Sequence, residues 1–468
     1  MTTETPQTKE HSRIPHIYYA AKQTIRRFAS GSNILLVATV LAIVIANIPA
    51  INGYYFEFWN YPMRVQIGSF NLFSHAGEPM TVLEFINDAL MAIFFFLIGL
   101  EIKREILVGE LSSFRKALLP IMGAIGGMIA PVAIFWYMAQ GSDYVGGAAI
   151  PMATDIAFSL GVLSMLGARV PISLKIFLTT LAVADDIGGI IVIAAFYSTH
   201  IDVNLLLIAL GLLIVLAFGG KMMIQSKLFY FLLGGGVWYL FLNSGIHSTI
   251  AGVLVAFTIP AKPVLDSRKY IKQIRNAMGY FRAESLDESP DPKKRAILSK
   301  EQLNWLKVVE SASDKVISPL QDLEDTLSPF VNYFIIPLFA FANAGIFLLD
   351  SDPMSAVEGI SLAIILGLVV GKFIGIFVMS WLTVKLHLAP MPNHSNWWML
   401  ASVSMLGGIG FTVSLFIATL SFDNPESVDL LNHAKLGIVL GSLISGVIGF
   451  IWLNFTMPKT PVPDEGDE

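Results

Sequence analysis

The 468-residue chain contains no cysteine. That excludes disulfides, thiolate metal sites and cysteine nucleophiles. Charge is scarce as well: 14% of residues are Asp, Glu, Lys or Arg, against about 25% in a soluble domain. With 54% hydrophobic residues and a mean hydropathy of +0.67, an ordinary globular enzyme is excluded. No phosphate-cradling glycine loop, zinc-ligand spacing or nucleophile elbow occurs. The sequence therefore implies no cofactor, no nucleic acid and no soluble partner.

What the chain has is long apolar runs. Blocks of about 20 apolar residues match the hydrocarbon thickness when wound as helix, which also satisfies the backbone where lipid offers no partner. Such blocks fall near 32–52, 81–102, 118–139, 147–168, 172–197, 203–220, 227–243, 245–261, 327–349, 359–384, 397–421 and 433–455. They predict an all-α membrane protein of about twelve transmembrane helices, with short connections that force antiparallel neighbours. The first block follows Lys9, Arg13, Lys22, Arg26 and Arg27. It is too long for the apolar stretch of a signal peptide and reads as an uncleaved span.

The basic residues of the loops set the orientation. With residues 1–30 in the cytoplasm, Lys103, Arg104, Arg115, Lys116, Arg169, Lys221, Lys227, Lys262 and Lys385 fall inside. The outer loops then hold only Arg64, with Lys435 at the edge of the last span. Both termini are expected in the cytoplasm. The domain reading is a cytoplasmic segment at 1–30, helices at 31–261, a cytoplasmic insert at 262–326, helices at 327–455 and an acidic tail at 456–468. Within the insert, Ile271, Ile274, Met278 and Phe281 repeat at helical spacing among Arg268, Lys269, Lys272, Arg275 and Arg282. This reads either as a basic helix on the anionic inner leaflet or as a solvated linker. Ser299-Lys300-Glu301-Gln302 is a capping-box pattern ahead of Leu303, Leu306 and Val309.

Four charges stand near the middle of spans: Asp155 in the fourth, Asp185 and Asp186 in the fifth, Lys372 in the tenth. A charge at the bilayer centre costs about 2.5–3.5 kcal/mol on insertion scales, and such residues mark ion pathways by default. Asp185 and Asp186 are adjacent, so on a helix they diverge by about 100°. One can meet a cation while the other meets a second partner, and Lys372 is the evident one. A buried carboxylate offers hard oxygens for which Na⁺ and a proton compete, and that competition alone yields exchange. Lys372 either carries a second proton or holds the site together.

The fourth and eleventh spans look interrupted, at Pro151-Met152-Ala153-Thr154-Asp155 and at Gly407-Gly408-Ile409-Gly410-Phe411-Thr412, because Pro and clustered Gly weaken a helix interior. Asp155 is placed to offset positive helix starts and Lys372 negative helix ends. Gly367, Gly371 and Gly375 form a small-residue stripe that we expect to bring Lys372 near the aspartates. His247 reads as structural or exposed.

These motifs resemble those of the NhaA-type sodium/proton antiporters: Ala153-Thr154-Asp155-Ile156-Ala157-Phe158, Asp185-Asp186-Ile187-Gly188, Gly371-Lys372 and Pro337-Leu338-Phe339-Ala340-Phe341-Ala342-Asn343-Ala344-Gly345, with Ile86-Asn87-Asp88-Ala89-Leu90-Met91 and Gly99-Leu100-Glu101-Ile102-Lys103-Arg104-Glu105. The likeness runs from about residue 30 to 455. It implies an inverted-repeat fold with discontinuous fourth and eleventh helices, often dimeric, in the bacterial inner membrane. It also implies electrogenic, pH-regulated exchange of cytoplasmic Na⁺ or Li⁺ for external protons, serving sodium and pH homeostasis. By the same resemblance Asp186 is the principal ion ligand, and Asp185 is its neighbour, proton carrier and Lys372 partner. Thr154 and Asp155 stand at the crossing, Asp88 and Glu101 line the cytoplasmic funnel, and Glu324 is regulatory. The insert is longer than the pattern, and Asp325 and Ser328 replace histidines that some relatives carry. Ala184 stands before the aspartate pair, where larger aliphatics occur. Two other readings of the charges are a passive cation channel and an intramembrane aspartyl protease pairing Asp155 with Asp186. The channel lacks a repeated pore loop, and the protease leaves Asp185 and Lys372 without a role.

Overall fold

The computed structural model describes residues 31–67, 70–71, 73–75, 78–198, 201–224, 226–262, 271–272, 274–278, 300–347 and 358–458. Helix dominates. In chain order the helices are α1 (Gly31–Ala46), α2 (Asn52–Trp59), α3 (Val82–Leu107), α4 (Phe114–Met138), α5 (Ile156–Met165), α6 (Ile172–Phe196), α7 (Val203–Lys221), α8 (Lys227–Ser244) and α9 (Ser248–Thr258). After them come α10 (Lys300–Val316), α11 (Pro319–Asn343), α12 (Gly359–Lys385), α13 (Trp397–Leu406), α14 (Phe411–Ser421) and α15 (Val428–Thr456). A tight helical segment, Val145–Met152, precedes α5.

Among the described residues, eight helices are long and apolar enough to cross a bilayer, or nine if α13 and α14, bent by 43°, are one broken span. The remaining expected spans fall on α1, α8 and α9; α1 and α9 are shorter apolar helices. The structure is that of an all-α membrane protein. Its only strands among the described residues are two-residue pairs, Gln66–Ile67 with Phe70–Asn71 and Ser74–His75 with Glu78–Pro79.

Three spans have boundaries that differ from expectation. The first span stops at Ala46, and Asn52 opens the separate helix α2. Buried Tyr55 on α2 donates its hydroxyl to the Phe341 carbonyl; burial pushes this phenol up to about 12, so it stays a donor at neutral pH. α11 begins at Pro319, ahead of the expected 327, and ends at Asn343 instead of 349. Its start is fixed by Ser318, whose hydroxyl accepts from the Gln321 amide at 3.2 Å, and by Pro319 in the first turn. Asp322, Glu324 and Asp325 hide that start from a hydropathy reading. α15 begins at Val428 instead of 433, so Lys435, expected at the edge of the span, lies well inside the helix and is buried.

The insert is partly described. Residues 271–272 and 274–278 are helical and α10 follows the expected Lys300 start, whereas Arg268, Lys269, Phe281, Arg282 and Ser299 lie outside the described residues. So do residues 1–30 and the tail beyond 458. The Leu320 amide donates to the Pro260 carbonyl at 3.2 Å, so the chain leaves and re-enters the helical body at one place. Lys103 fastens α3 to the same region by donating to the carbonyls of Phe257, at 2.7 Å, and Ile259 at the end of α9.

Glycine decides how α12 packs. The Gly367–Gly371–Gly375 stripe lies against α4 and the segment before α5, not against the aspartate helix α6. A Cβ on Gly371 would strike Pro131, one on Gly367 Pro151, and one on Gly375 the carbonyl of Gly126. α4 in turn meets α6 where Gly123 faces Leu181. The stripe therefore delivers Lys372 to the aspartates through α4. A wide π turn, Gly367–Gly371, comes just before Lys372; such turns recur at functional positions.

Candidate functional site

Two interrupted helices meet at the centre of the site. Between Met152 and Ile156 the chain is extended, whereas between Leu406 and Phe411 it turns through Gly407 and Gly408 and leaves the helix at Ile409 and Gly410. The two breaks are hydrogen-bonded to each other: the Asp155 amide donates to the Ile409 carbonyl at 2.6 Å. Each break leaves helix starts rich in free N–H groups and helix ends rich in free carbonyls.

Asp155 answers the starts. One carboxylate oxygen accepts from the Phe158 amide at 3.0 Å, in the first turn of α5. The other accepts from the Thr412 amide at 3.0 Å and its hydroxyl at 2.7 Å, in the first turn of α14. One buried anion thus caps two helices, as the dipole argument anticipates. With both oxygens engaged this way, Asp155 is not poised as half of a protease dyad. Asp155→Ala is expected to lower stability by on the order of 3 kcal/mol, because it orphans buried donors on two helices. Asp155→Asn should lose less, since its one carbonyl oxygen still caps one start. Thermal unfolding of the purified variants checks the order, and equal midpoints for Ala and wild type would remove the double cap.

The helix ends are answered by Thr154 and, through it, Lys372. The Thr154 hydroxyl lies 2.6 Å from Asp185 Oδ2 and 3.0 Å from the Gly407 carbonyl, and its single proton serves one of them at a time. It also accepts from Lys372 Nζ at 2.9 Å. Lys372 Nζ pairs directly with Asp185 Oδ2. Both side chains are fully buried, so separating them is costly while both carry charge. The other oxygen, Asp185 Oδ1, is buried without a partner among the described residues.

Asp186 is placed differently. It is also buried, yet among the described residues it accepts no hydrogen bond, and it lines a cavity of about 1170 Å³. Thr154, Asp155, Glu101 and Arg104 line the same cavity; Asp185 and Lys372 do not. The adjacent aspartates thus part company as their helical divergence requires, one toward the cavity and one toward the lysine.

The outlying candidates divide. Glu101 lines the cavity. Glu324 pairs with Arg104 at 3.3 Å, and Arg104 also reaches Glu105 at 3.2 Å. Asp88 is not among the cavity residues: its carboxylate accepts from Ser248 at 2.9 Å and its backbone carbonyl from Trp238 at 3.1 Å. Sequence reasoning assigned no individual role to Thr412, Ser159 and Ser414, which join the two breaks, or to the part-buried amide pair in which Asn343 donates to Asn87 at 2.8 Å. For Thr412 the signal was present, since a hydroxyl two residues after a glycine break falls in the first turn of the helix that follows. For the serines it was not.

Buried charges at a crossing of two interrupted helices, beneath a wide cavity, define a polytopic membrane transporter. The sequence profile of the Na+/H+ antiporter 1 family matches residues 22–453, and the chain belongs to that family. It is 50% identical to the Na(+)/H(+) antiporter NhaA of Phocaeicola vulgatus over 456 residues, 97% of this chain and 100% of the relative. It is 53% identical to that of Bacteroides fragilis over 431 residues, 92% and 96% of the two chains. With the Helicobacter pylori protein the identity is 44% over 438 residues, 94% and 95%. The family is one of secondary transporters, so the chain is a multi-pass membrane transporter and not an enzyme.

Proposed function

We propose that the protein exchanges Na⁺ or Li⁺ for protons at Asp186, expelling the cation from the cytoplasm of a bacterium across its inner membrane. The observation that carries this reading is the division of labour between the two aspartates. Asp186 lines the cavity as a carboxylate with no hydrogen-bond partner among the described residues, reachable by a cation or a proton but suited to one at a time. Asp185 is held by Lys372 and Thr154, with one oxygen, Oδ1, left over to complete a cation's shell. When a cation draws Asp185 away from Lys372, the lysine loses its counter-charge and can release a proton. Exchange of more protons than cations, hence electrogenic transport, follows from two proton-bearing groups at one site. Arg104 with Glu324, at the Glu101 side of the cavity, is the proposed regulatory pair for pH. A homodimer and cytoplasmic termini belong to the proposal through the family resemblance and the loop charges.

The test is a pH-dye measurement in everted vesicles energised to an acid interior, with Na⁺, Li⁺ or K⁺ added over a pH series. Dequenching by Na⁺ or Li⁺ is the expected result, and its pH dependence gives the activation range. Silence to every cation at every pH, with the protein verified in the membrane, overturns the reading.

A further inference from the structure

Beyond the ion-binding groups, the two breaks are tied together by a matched pair of serines. Ser159 lies four residues after Asp155, which opens α5, and Ser414 lies four residues after Gly410, which opens α14. Each serine is fully buried. Each reaches out of its own helix to a carbonyl at the end of the half-helix that precedes the other break. Ser414 Oγ donates to the Ile150 carbonyl at 2.8 Å, and Ser159 Oγ lies 3.2 Å from the Leu406 carbonyl. The contacts are reciprocal, so the first turn of the half-helix after each break caps the end of the half-helix before the other.

The two are not equal. Ser159 Oγ is also 2.7 Å from the Asp155 carbonyl of its own helix, and one hydroxyl proton cannot serve both acceptors fully. For Ser414 the described contacts hold no such alternative within α14. Ser414 is a committed brace, and Ser159 is a brace that can let go without leaving its proton unpaired.

We propose that Ser159 and Ser414 are positioning residues for cation exchange. By cross-bracing the two interrupted helices they hold Thr154, Asp155 and, through Thr154, Asp185 in register with Asp186, and Ser159 is the side that releases when the breaks move. The proposal rests on the antiporter reading of the same site. Neither serine lines the cavity, so neither acts as a cation ligand.

The experiment compares wild type, Ser159→Ala, Ser414→Ala and the double variant in everted vesicles, titrating Na⁺ across a pH series. Wild-type exchange is measured first, so failure of the antiporter reading appears as silence there. Hydrogen exchange of the backbone amides from 405 to 412 in the purified proteins reads the brace without any transport. Each alanine is expected to raise the half-saturating Na⁺ concentration by about threefold to tenfold, the range one neutral buried hydrogen bond supports, with the larger rise for Ser414→Ala. The amides of the break should exchange faster. The double variant should fall short of the product of the two single effects, because both braces act on one crossing. Threonine at either position, which keeps the hydroxyl, should restore the Na⁺ dependence. Unchanged Na⁺ and pH dependence in both alanine variants overturns the proposal, even if their melting temperatures fall. If the alanine variants do not reach the membrane, Ser→Cys replaces them. It keeps the volume with a weaker donor, and unaltered half-saturation in the cysteine variants overturns the proposal equally.

Discussion

Asp186→Asn is expected to reduce cation-driven proton movement to background while leaving the protein folded in the membrane. The amide has the shape of the carboxyl group but can neither take up a proton nor offset a cation's charge. Because Asp186 makes no hydrogen bond among the described residues and faces the cavity, no structural contact is lost with the charge. Asp185→Asn is the instructive contrast. It strips the counter-charge from buried Lys372, and removing one partner of a buried pair costs about 3–5 kcal/mol. Asp186→Asn should therefore lose exchange and keep its unfolding temperature, whereas Asp185→Asn should lose stability too. Dye dequenching with isotopic Na⁺ uptake, beside a thermal unfolding scan, separates the two. Exchange at the wild-type level in Asp186→Asn would reject Asp186 as the cation ligand.

The second large effect concerns assembly. At the α4–α12 contact a Cβ on Gly375 would land on the Gly126 carbonyl, and one on Gly126 on the Gly375 carbonyl. The obstacle is backbone, not the tip of a flexible side chain, so the helices themselves must separate. Gly375→Val should prevent normal accumulation, with Gly375→Ala less severe, because overfilling a tight contact costs about 1–3 kcal/mol even where side chains can give way. Lys372 is on the same stretch of α12, so any surviving protein should show the site disturbed as well. Yield of monodisperse protein after detergent extraction measures this. A valine variant that accumulates, elutes and melts like wild type would show that the backbones are not pressed together there.

How much of this was legible in the residues depends on the distance over which each interaction acts. Apolar runs mark most of the spans because the requirement is local: each stretch must face lipid by itself. The role of Asp155 was readable for a similar reason, since an acidic residue just after Pro151 and the break sits where a helix start needs an anion. The start of α11 was not, because Glu324 is tolerated there through Arg104 on α3, a partner far away in sequence. Lys435 was placed at the edge of its span because the apolar run begins near 433, while in the fold α15 begins at Val428 and encloses it. The glycine stripe was recognised as a packing surface but not its partner, because small residues announce that something comes close without saying what. Ser159 and Ser414 carry even less signal. A serine in a membrane helix most often bonds within its own helix, and only the crossing gives these two acceptors on another.

The hydrogen bond between Leu320 and Pro260 has a consequence for how this protein can be altered. To the helices on either side, the two ends of the stretch between those residues are held together at one spot. The entropy of closing a loop rises by only about 0.6 kcal/mol for each doubling of its length. A change in the length of the stretch therefore costs the helical body little in loop entropy, while the bond itself sets the approach of the ends of α9 and α11. That makes the stretch a natural splice point, where a rigid carrier domain could be grafted as a handle for imaging the transporter at work.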